Sequence, residues 1–181
     1  MSPSQRQSTE LFRQCLKLYH GIEGTFAVPT IVKESAMRLE LENGTRIIAL
    51  PGSESTVRGY AACTLAIIDE AARVPDELIS AIRPTLATTS RRLIALSTPK
   101  ARTDWFWETW SDGKDWERTL IKAEDCPRIT NEFLTDEERE LGAFAYANEY
   151  LCEFQDAETA LFGGELITRA FNNSVQPLWN D

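Results

Sequence analysis

The chain has 181 residues, enough to bury a sizeable core in one domain with an appendage. Apolar content of 43% and charged content of 26% are ordinary for a globular protein, and no apolar run reaches the length of a membrane span. The net charge of −9 argues against a uniformly basic nucleic-acid coat, though not against a local basic path. That charge is concentrated late. Between residues 132 and 165 lie ten acidic side chains against Arg139 alone, a composition that suits a solvated helix face. The four cysteines are scattered without a C-x-x-C pair, and His20 is the single histidine, so neither a zinc site nor a disulfide framework is indicated. The N-terminus lacks the apolar core of a signal peptide, and the expected location is the cytoplasm.

In chain order, Ser2-Pro3-Ser4-Gln5-Arg6-Gln7-Ser8 reads as the loop after a strand, as though the chain started just beyond one. A helix is predicted from Ser8 to Tyr19, with Leu11, Cys15, Leu18 and Tyr19 on its apolar face. Between Met37 and Leu50, two alternating runs flank Asn43-Gly44, the strongest short hairpin signal. A polar loop from Pro51 leads to Thr56-Val57-Arg58-Gly59-Tyr60, where Arg58 is either a solvated loop arginine or a phosphate contact.

Thr64-Leu65-Ala66-Ile67-Ile68-Asp69-Glu70-Ala71-Ala72 organises the rest. Its apolar run predicts a strand buried on both faces, as in a parallel sheet covered by helices. Ligand crevices in such sheets lie at the carboxyl ends of strands, and two carboxylates there are costly unless used. This is the pattern of a Walker B element, in which Asp69 holds Mg²⁺ through water and Glu70 orients or deprotonates the water that attacks a γ-phosphate. The alternative is a buried strand ending at a helix N-terminus, where acidic residues are favoured. Both readings stand on this stretch alone.

A helix is expected from Pro75, with Leu78, Ile79 and Ile82 inward, until Pro84 kinks or ends it. Arg91 to Leu96 predicts a second buried strand, closed by Ser97-Thr98-Pro99. Hydroxyls at that position face the same crevice as Asp69 and Glu70. The aromatic run from Asp104 to Trp110 is assigned to core packing, and Trp116 to Ile121 to a further strand. Thr135-Asp136-Glu137-Glu138 reads as a capping box that opens a helix reaching Leu151.

Taken in order, Ser-Pro-Ser-Gln-Arg-Gln-Ser, Thr-Val-Arg-Gly-Tyr, Ile-Ile-Asp-Glu-Ala-Ala, Leu-Ser-Thr-Pro, Glu149-Tyr150-Leu151-Cys152-Glu153-Phe154 and Ala160-Leu161-Phe162 resemble the ATPase domain of the large terminase subunit, the DNA-packaging motor of tailed phages and prophages. The likeness covers nearly the whole chain, and it rests on order and spacing rather than on any one motif. It implies an α/β fold of the P-loop NTPase type (RecA/ASCE), a mostly parallel sheet flanked by helices and truncated at its N-terminal side. Residues 1–125 would form a partial ATPase domain, and residues 126–181 a helical lid and linker toward an absent nuclease domain.

The resemblance assigns Asp69 to Mg²⁺, Glu70 to catalysis, and Ser97, Thr98 and Pro99 to the coupling motif that senses the γ-phosphate. Arg58 lies about where some relatives place an arginine finger. ATP and Mg²⁺ are the implied cofactors; double-stranded DNA, other terminase subunits and the portal protein are the implied partners. One feature of the family is missing: no G-x-x-x-x-G-K-[ST] loop, which would cradle the β- and γ-phosphates, occurs in these 181 residues. The expectation is therefore a Walker B half with negligible ATPase activity alone, complemented by a separate Walker A segment. The alternatives are a non-catalytic prophage remnant or assembly module, and a superfamily 2 helicase fragment.

Overall fold

Eighteen residues, Gln5–Ile22, form α1 in the computed structural model, which describes residues 1–24, 28–51, 57, 59–60, 63–87 and 92–156. The chain divides into two compact units, Met1–Thr98 and Pro99–Asp181. Helix α1 starts one turn before the predicted point because Ser4, in extended backbone at φ −122°, is its N-cap. The Ser4 hydroxyl accepts the Gln7 N–H at 3.3 Å and satisfies one of the orphan donors of the first turn. The predicted apolar face is also rotated. Leu18 is 71% exposed and Cys15 is exposed, whereas Ser8 and Phe12 are buried and Leu16 and Tyr19 partly so. Periodicity missed this because the buried stripe contains a serine. The Ser8 hydroxyl donates to Leu50 O at 2.7 Å and accepts the Ser2 N–H at 3.1 Å, so its burial leaves no polar atom unpaired.

Three antiparallel strands pack with this helix: β1 (Ile31–Ser35), β2 (Arg38–Leu41) and β3 (Arg46–Ile48), in the order β1-β2-β3. The predicted Asn43-Gly44 hairpin joins β2 to β3 with Leu39 opposite Ile47. Gly44 sits at φ 82°, a conformation that side chains resist, and Asn43 Oδ1 accepts the Thr45 N–H. β1 was not foreseen. Phe12, Leu39, Leu41 and Ala49 form the buried centre, with Leu16, Tyr19, Ile31 and Met37 packed around it.

The second sheet of this unit is the one foreseen from the central stretch. β4 (Leu65–Asp69) pairs in parallel with β5 (Arg92–Leu96), in a register that sets Ile67 beside Ile94 and Asp69 beside Leu96. On the other edge of β4, the Met1 amino group donates to Ile67 O at 2.7 Å, and Met1 O accepts the Asp69 N–H at 2.8 Å. That is the spacing of one parallel bridge. Helix α2 (Asp76–Leu86) contacts β4 and buries Leu78, Ile79, Ile82 and Leu86, while Ala66 and Ile68 are buried on β4. Pro75 precedes this helix as its N-cap, and Pro84 lies within its last turn.

The expectation of burial on both faces fails for this pair of strands. Leu65, Ile67, Ile94 and Leu96 are 40–50% exposed and, by the register and the two-residue alternation of strands, share one face. Apolar composition therefore anticipated more cover than these residues have among the described part of the chain.

The second unit opens with α3 (Trp105–Asp112), capped by Asp104, whose Oδ1 accepts the Trp107 N–H at 2.8 Å. Trp105 is buried. The rings of Phe106, Trp107 and Trp110 surround Phe154 at centroid distances of 6.0, 4.8 and 6.4 Å, which makes the aromatic run a packing cluster as expected. The predicted strand from Trp116 to Ile121 is absent: these residues form no regular element and leave Leu120 and Ile121 exposed. Gly113 ends α3 in a close approach, since a Cβ there would meet Thr109 O at 2.5 Å.

Two helices replace the single one predicted later. α4 (Asn131–Leu141) is capped by Thr130, not Thr135, whose hydroxyl instead donates to Asn131 O inside the helix. Gly142, at φ 78°, breaks the chain before α5 (Ala143–Glu149). The Tyr150 hydroxyl donates to Glu137 Oε2 at 2.7 Å and Leu134 is buried, which holds the pair together. Among the described residues no helix is long and apolar enough to cross a membrane.

Candidate functional site

Strand β4 ends at Asp69, and the chain turns at once. Glu70 adopts the left-handed conformation, φ 54° and ψ 45°, and a single 3₁₀ turn, Ala71–Arg73, follows. A non-glycine residue in that region costs roughly 1–2 kcal/mol, a strain that clusters at functional positions. The turn is closed by the Arg73 N–H donating to Glu70 O at 2.9 Å and Val74 N–H to Ala71 O at 3.2 Å. Ala71 and Ala72 are buried and small, which lets this turn lie close beneath the strand ends.

The parallel register brings the end of β5 alongside. Because Asp69 lies opposite Leu96, the next residues of β5, Ser97 and Thr98, emerge beside the carboxylate turn. Two hydrogen-bonded links join the two strand ends. The Ala72 N–H donates to Ser97 Oγ at 3.2 Å. Arg73 Nη1 donates both to Glu70 Oε2 at 2.7 Å and to Thr98 Oγ1 at 3.0 Å. Asp69, Glu70, Ser97 and Thr98 are each partly exposed, so the cluster faces solvent rather than the core.

Asp69, Glu70, Ser97 and Thr98, all selected from the sequence, are thus gathered at the carboxyl ends of two neighbouring parallel strands. Arg58 falls outside the described residues. Arg73 was not selected. Its signal lay in the spacing Glu70-Ala-Ala-Arg73, since residues three apart eclipse in a 3₁₀ turn and so pair directly. Among the described residues no group of three or more His, Cys, Asp or Glu side chains is clustered for a metal. The donors at hand are one strand-end carboxylate, its neighbour and two hydroxyls. That set suits a cation held largely by water and by a phosphate ligand, the usual habit of Mg²⁺, rather than an all-protein cage.

Solved structures share this architecture. The chain superposes on the large terminase ATPase domain of Thermus phage P74-26 with a TM-score of 0.68 and 19% identity, covering 84% of this chain and 74% of that one. A large terminase from a thermophilic bacteriophage gives a TM-score of 0.62 at 13% identity, covering 84% of this chain and 39% of that one. A crystal form of the same terminase in complex with ADP gives 0.61 at 13% identity. At these identities the likeness establishes the fold, an α/β P-loop-like domain. No curated protein sequence matches the chain. The sequence model of the family described as "Terminase large subunit, T4likevirus-type, N-terminal" matches residues 9–169. With that match over most of its length and the shared ATPase-domain fold, the chain belongs to the terminase large-subunit family and carries that family's N-terminal portion.

Proposed function

We propose that this chain supplies the Walker B and coupling face of an ATP-driven DNA-packaging motor. The observation that carries the reading is the juxtaposition of Asp69 and Glu70 with Ser97 and Thr98 across two parallel strands, tied by the Ala72 and Arg73 hydrogen bonds. Asp69 would hold Mg²⁺ through water. Bound there, the ion would neutralise charge on the β- and γ-phosphate oxygens. Glu70 would orient the attacking water and accept its proton, and Thr98, with Ser97, would meet the γ-phosphate edge. Arg58 is retained as the candidate arginine finger. Residues 126–181 are proposed as a lid and linker. Double-stranded DNA, further terminase subunits and a portal protein are the proposed partners, and the cytoplasm of a bacterial host the proposed location.

Phosphate-cradling amides and a P-loop lysine supply much of the nucleotide contact in this fold class, and these 181 residues contain no such loop. Efficient hydrolysis therefore requires that loop from elsewhere. The same observation favours a second reading, in which the chain is a non-catalytic assembly module or remnant. Isothermal titration of the chain with MgATP, alone and mixed with a peptide carrying a Walker A strand–loop–helix, separates them. The first reading expects binding in the mixture and little with the chain alone. Absence of binding in both overturns it and leaves the non-catalytic reading.

A further inference from the structure

The 3₁₀ turn that follows Glu70 lacks a cap of its own. Glu70 holds the N-cap position, yet at φ 54° and ψ 45° its side chain caps no backbone N–H. An ordinary N-cap residue is extended, which lets its side-chain oxygen reach back over the first turn. The bonds that close the turn use the N–H groups of Arg73 and Val74, so the Ala72 N–H finds no acceptor inside it. Ala72 is 4% exposed, and a buried N–H without a partner is costly. Its acceptor comes from the neighbouring strand. The parallel register sets Asp69 beside Leu96, and the next residue, Ser97, takes the Ala72 N–H on Oγ at 3.2 Å.

We propose that Ser97 is a positioning residue, a cap supplied from the end of β5 that holds the turn, and through it the Glu70 backbone, in the left-handed conformation. The inference rests on the reading of Glu70 as the group that orients the attacking water. It gives Ser97 a task separate from touching phosphate. A cap provided by Glu70 itself would require extended backbone there and would fold its carboxylate onto the amides of the turn. With the cap placed on β5, Glu70 adopts its unusual φ and its carboxylate stays out of capping. Serine suits the place, because its side chain is short and its oxygen accepts the amide while its hydrogen remains to be donated. Thr98 is engaged through the Arg73 side chain, whereas Ser97 grips the main chain of the turn. A shift at the end of β5 therefore passes to the backbone beside Glu70 instead of being absorbed by a long side chain.

NMR on the full chain tests the cap without nucleotide. In the wild type the Ala72 amide should be protected from hydrogen exchange. Glu70 should show a strong intraresidue NOE between its N–H and Hα, which lie close together at positive φ. Ser97→Ala should speed Ala72 exchange about fivefold, the equivalent of one ordinary hydrogen bond, and weaken the Glu70 NOE. Ser97→Thr, which keeps the hydroxyl, should retain both wild-type features. If Ser97→Ala unfolds the chain, Ser97→Cys, with its weaker acceptor, carries the same comparison. With the Walker A peptide present, Ser97→Ala should lower kcat for MgATP about 100-fold, the scale of a misplacement of roughly 1 Å. KM should stay nearly unchanged, and Ser97→Thr should recover most of kcat.

An unprotected Ala72 amide in the wild type, or exchange and NOE unmoved by losing the hydroxyl, overturns the cap. A raised KM with kcat unchanged makes Ser97 a phosphate contact instead; it overturns the positioning role and leaves the proposed function standing. NMR changes as expected, with no hydrolysis of MgATP by the wild-type mixture, overturn the reading of Glu70 and the positioning role with it, and reduce the cap to a part of the fold.

Discussion

Glu70 occupies a backbone conformation that a glutamate resists, and the adjoining Ala71-Ala72 turn fixes it there. Strain of this kind persists when the surrounding structure over-determines it, and here the Arg73 N–H to Glu70 O bond and the burial of Ala71 and Ala72 do so. Asparagine enters the left-handed region far more easily than glutamate. Glu70→Asn should therefore relieve about 1–2 kcal/mol of strain and forfeit an ion pair whose partly exposed partners contribute about 0–1 kcal/mol. The expected result is a net gain of about 1 kcal/mol, read as a higher urea midpoint at unchanged slope. A lower midpoint would mean that the carboxylate is held by the fold rather than by function. The sequence announced Glu70 through its place after an apolar run. It could not announce the strain or the Arg73 pair, because both arise from the turn that follows.

At the scale of elements, legibility tracked the strength of local chemistry. The Asn43-Gly44 hairpin and the parallel pair β4–β5 followed from turn residues and apolar runs. Helix starts were misjudged where several hydroxyls compete for the cap: Ser4 rather than Ser8 for α1, Thr130 rather than Thr135 for α4. β1, with four of five residues exposed, carried no apolar pattern to read. One contact near the end of α1 couples helix to sheet through a titratable group. His20 Nδ1 lies 3.0 Å from Glu23 Oε2, and its Nε2 lies 3.6 Å from Glu34 Oε2 on β1. The hydrogen bond to Glu23, with the nearby Glu34 charge, raises the His20 pKa above its ordinary value, against a smaller opposing effect of burial. A raised folded-state value means that protonated His20 stabilises the fold. The stabilisation is complete below the unfolded value of about 6.5 and is lost as pH rises through the higher folded value. Thermal melts of the wild type and His20→Gln should therefore differ at pH 5, with the wild type higher, and the difference should shrink as pH rises through the raised folded value. Equal separation at every pH would assign His20 a packing role instead.

For the molecule as a whole, family membership and fold were legible because they rest on motif order along the entire chain. The degree of cover over the sheet was not, since an apolar strand says what it prefers to contact and not what is present to contact it. Leu65, Ile67, Ile94 and Leu96 form an exposed apolar face on the sheet that carries the site. Patches of this kind favour association, and the most abundant partner in a purified sample is a second copy. Sedimentation velocity of the 181-residue chain should show weight-average mass rising with concentration. Ile67→Lys with Ile94→Glu places opposite charges side by side on that face, where the register makes them neighbours. The double variant should remain monomeric over the same concentrations with a melting temperature close to that of the wild type, because both side chains are already about two-fifths exposed. A monomeric wild type with a sharp cooperative transition would show that the face does not drive association. A double variant that still associates would place the contact elsewhere, with the exposed Phe133, Leu141 and Phe144 of the second unit next to be replaced.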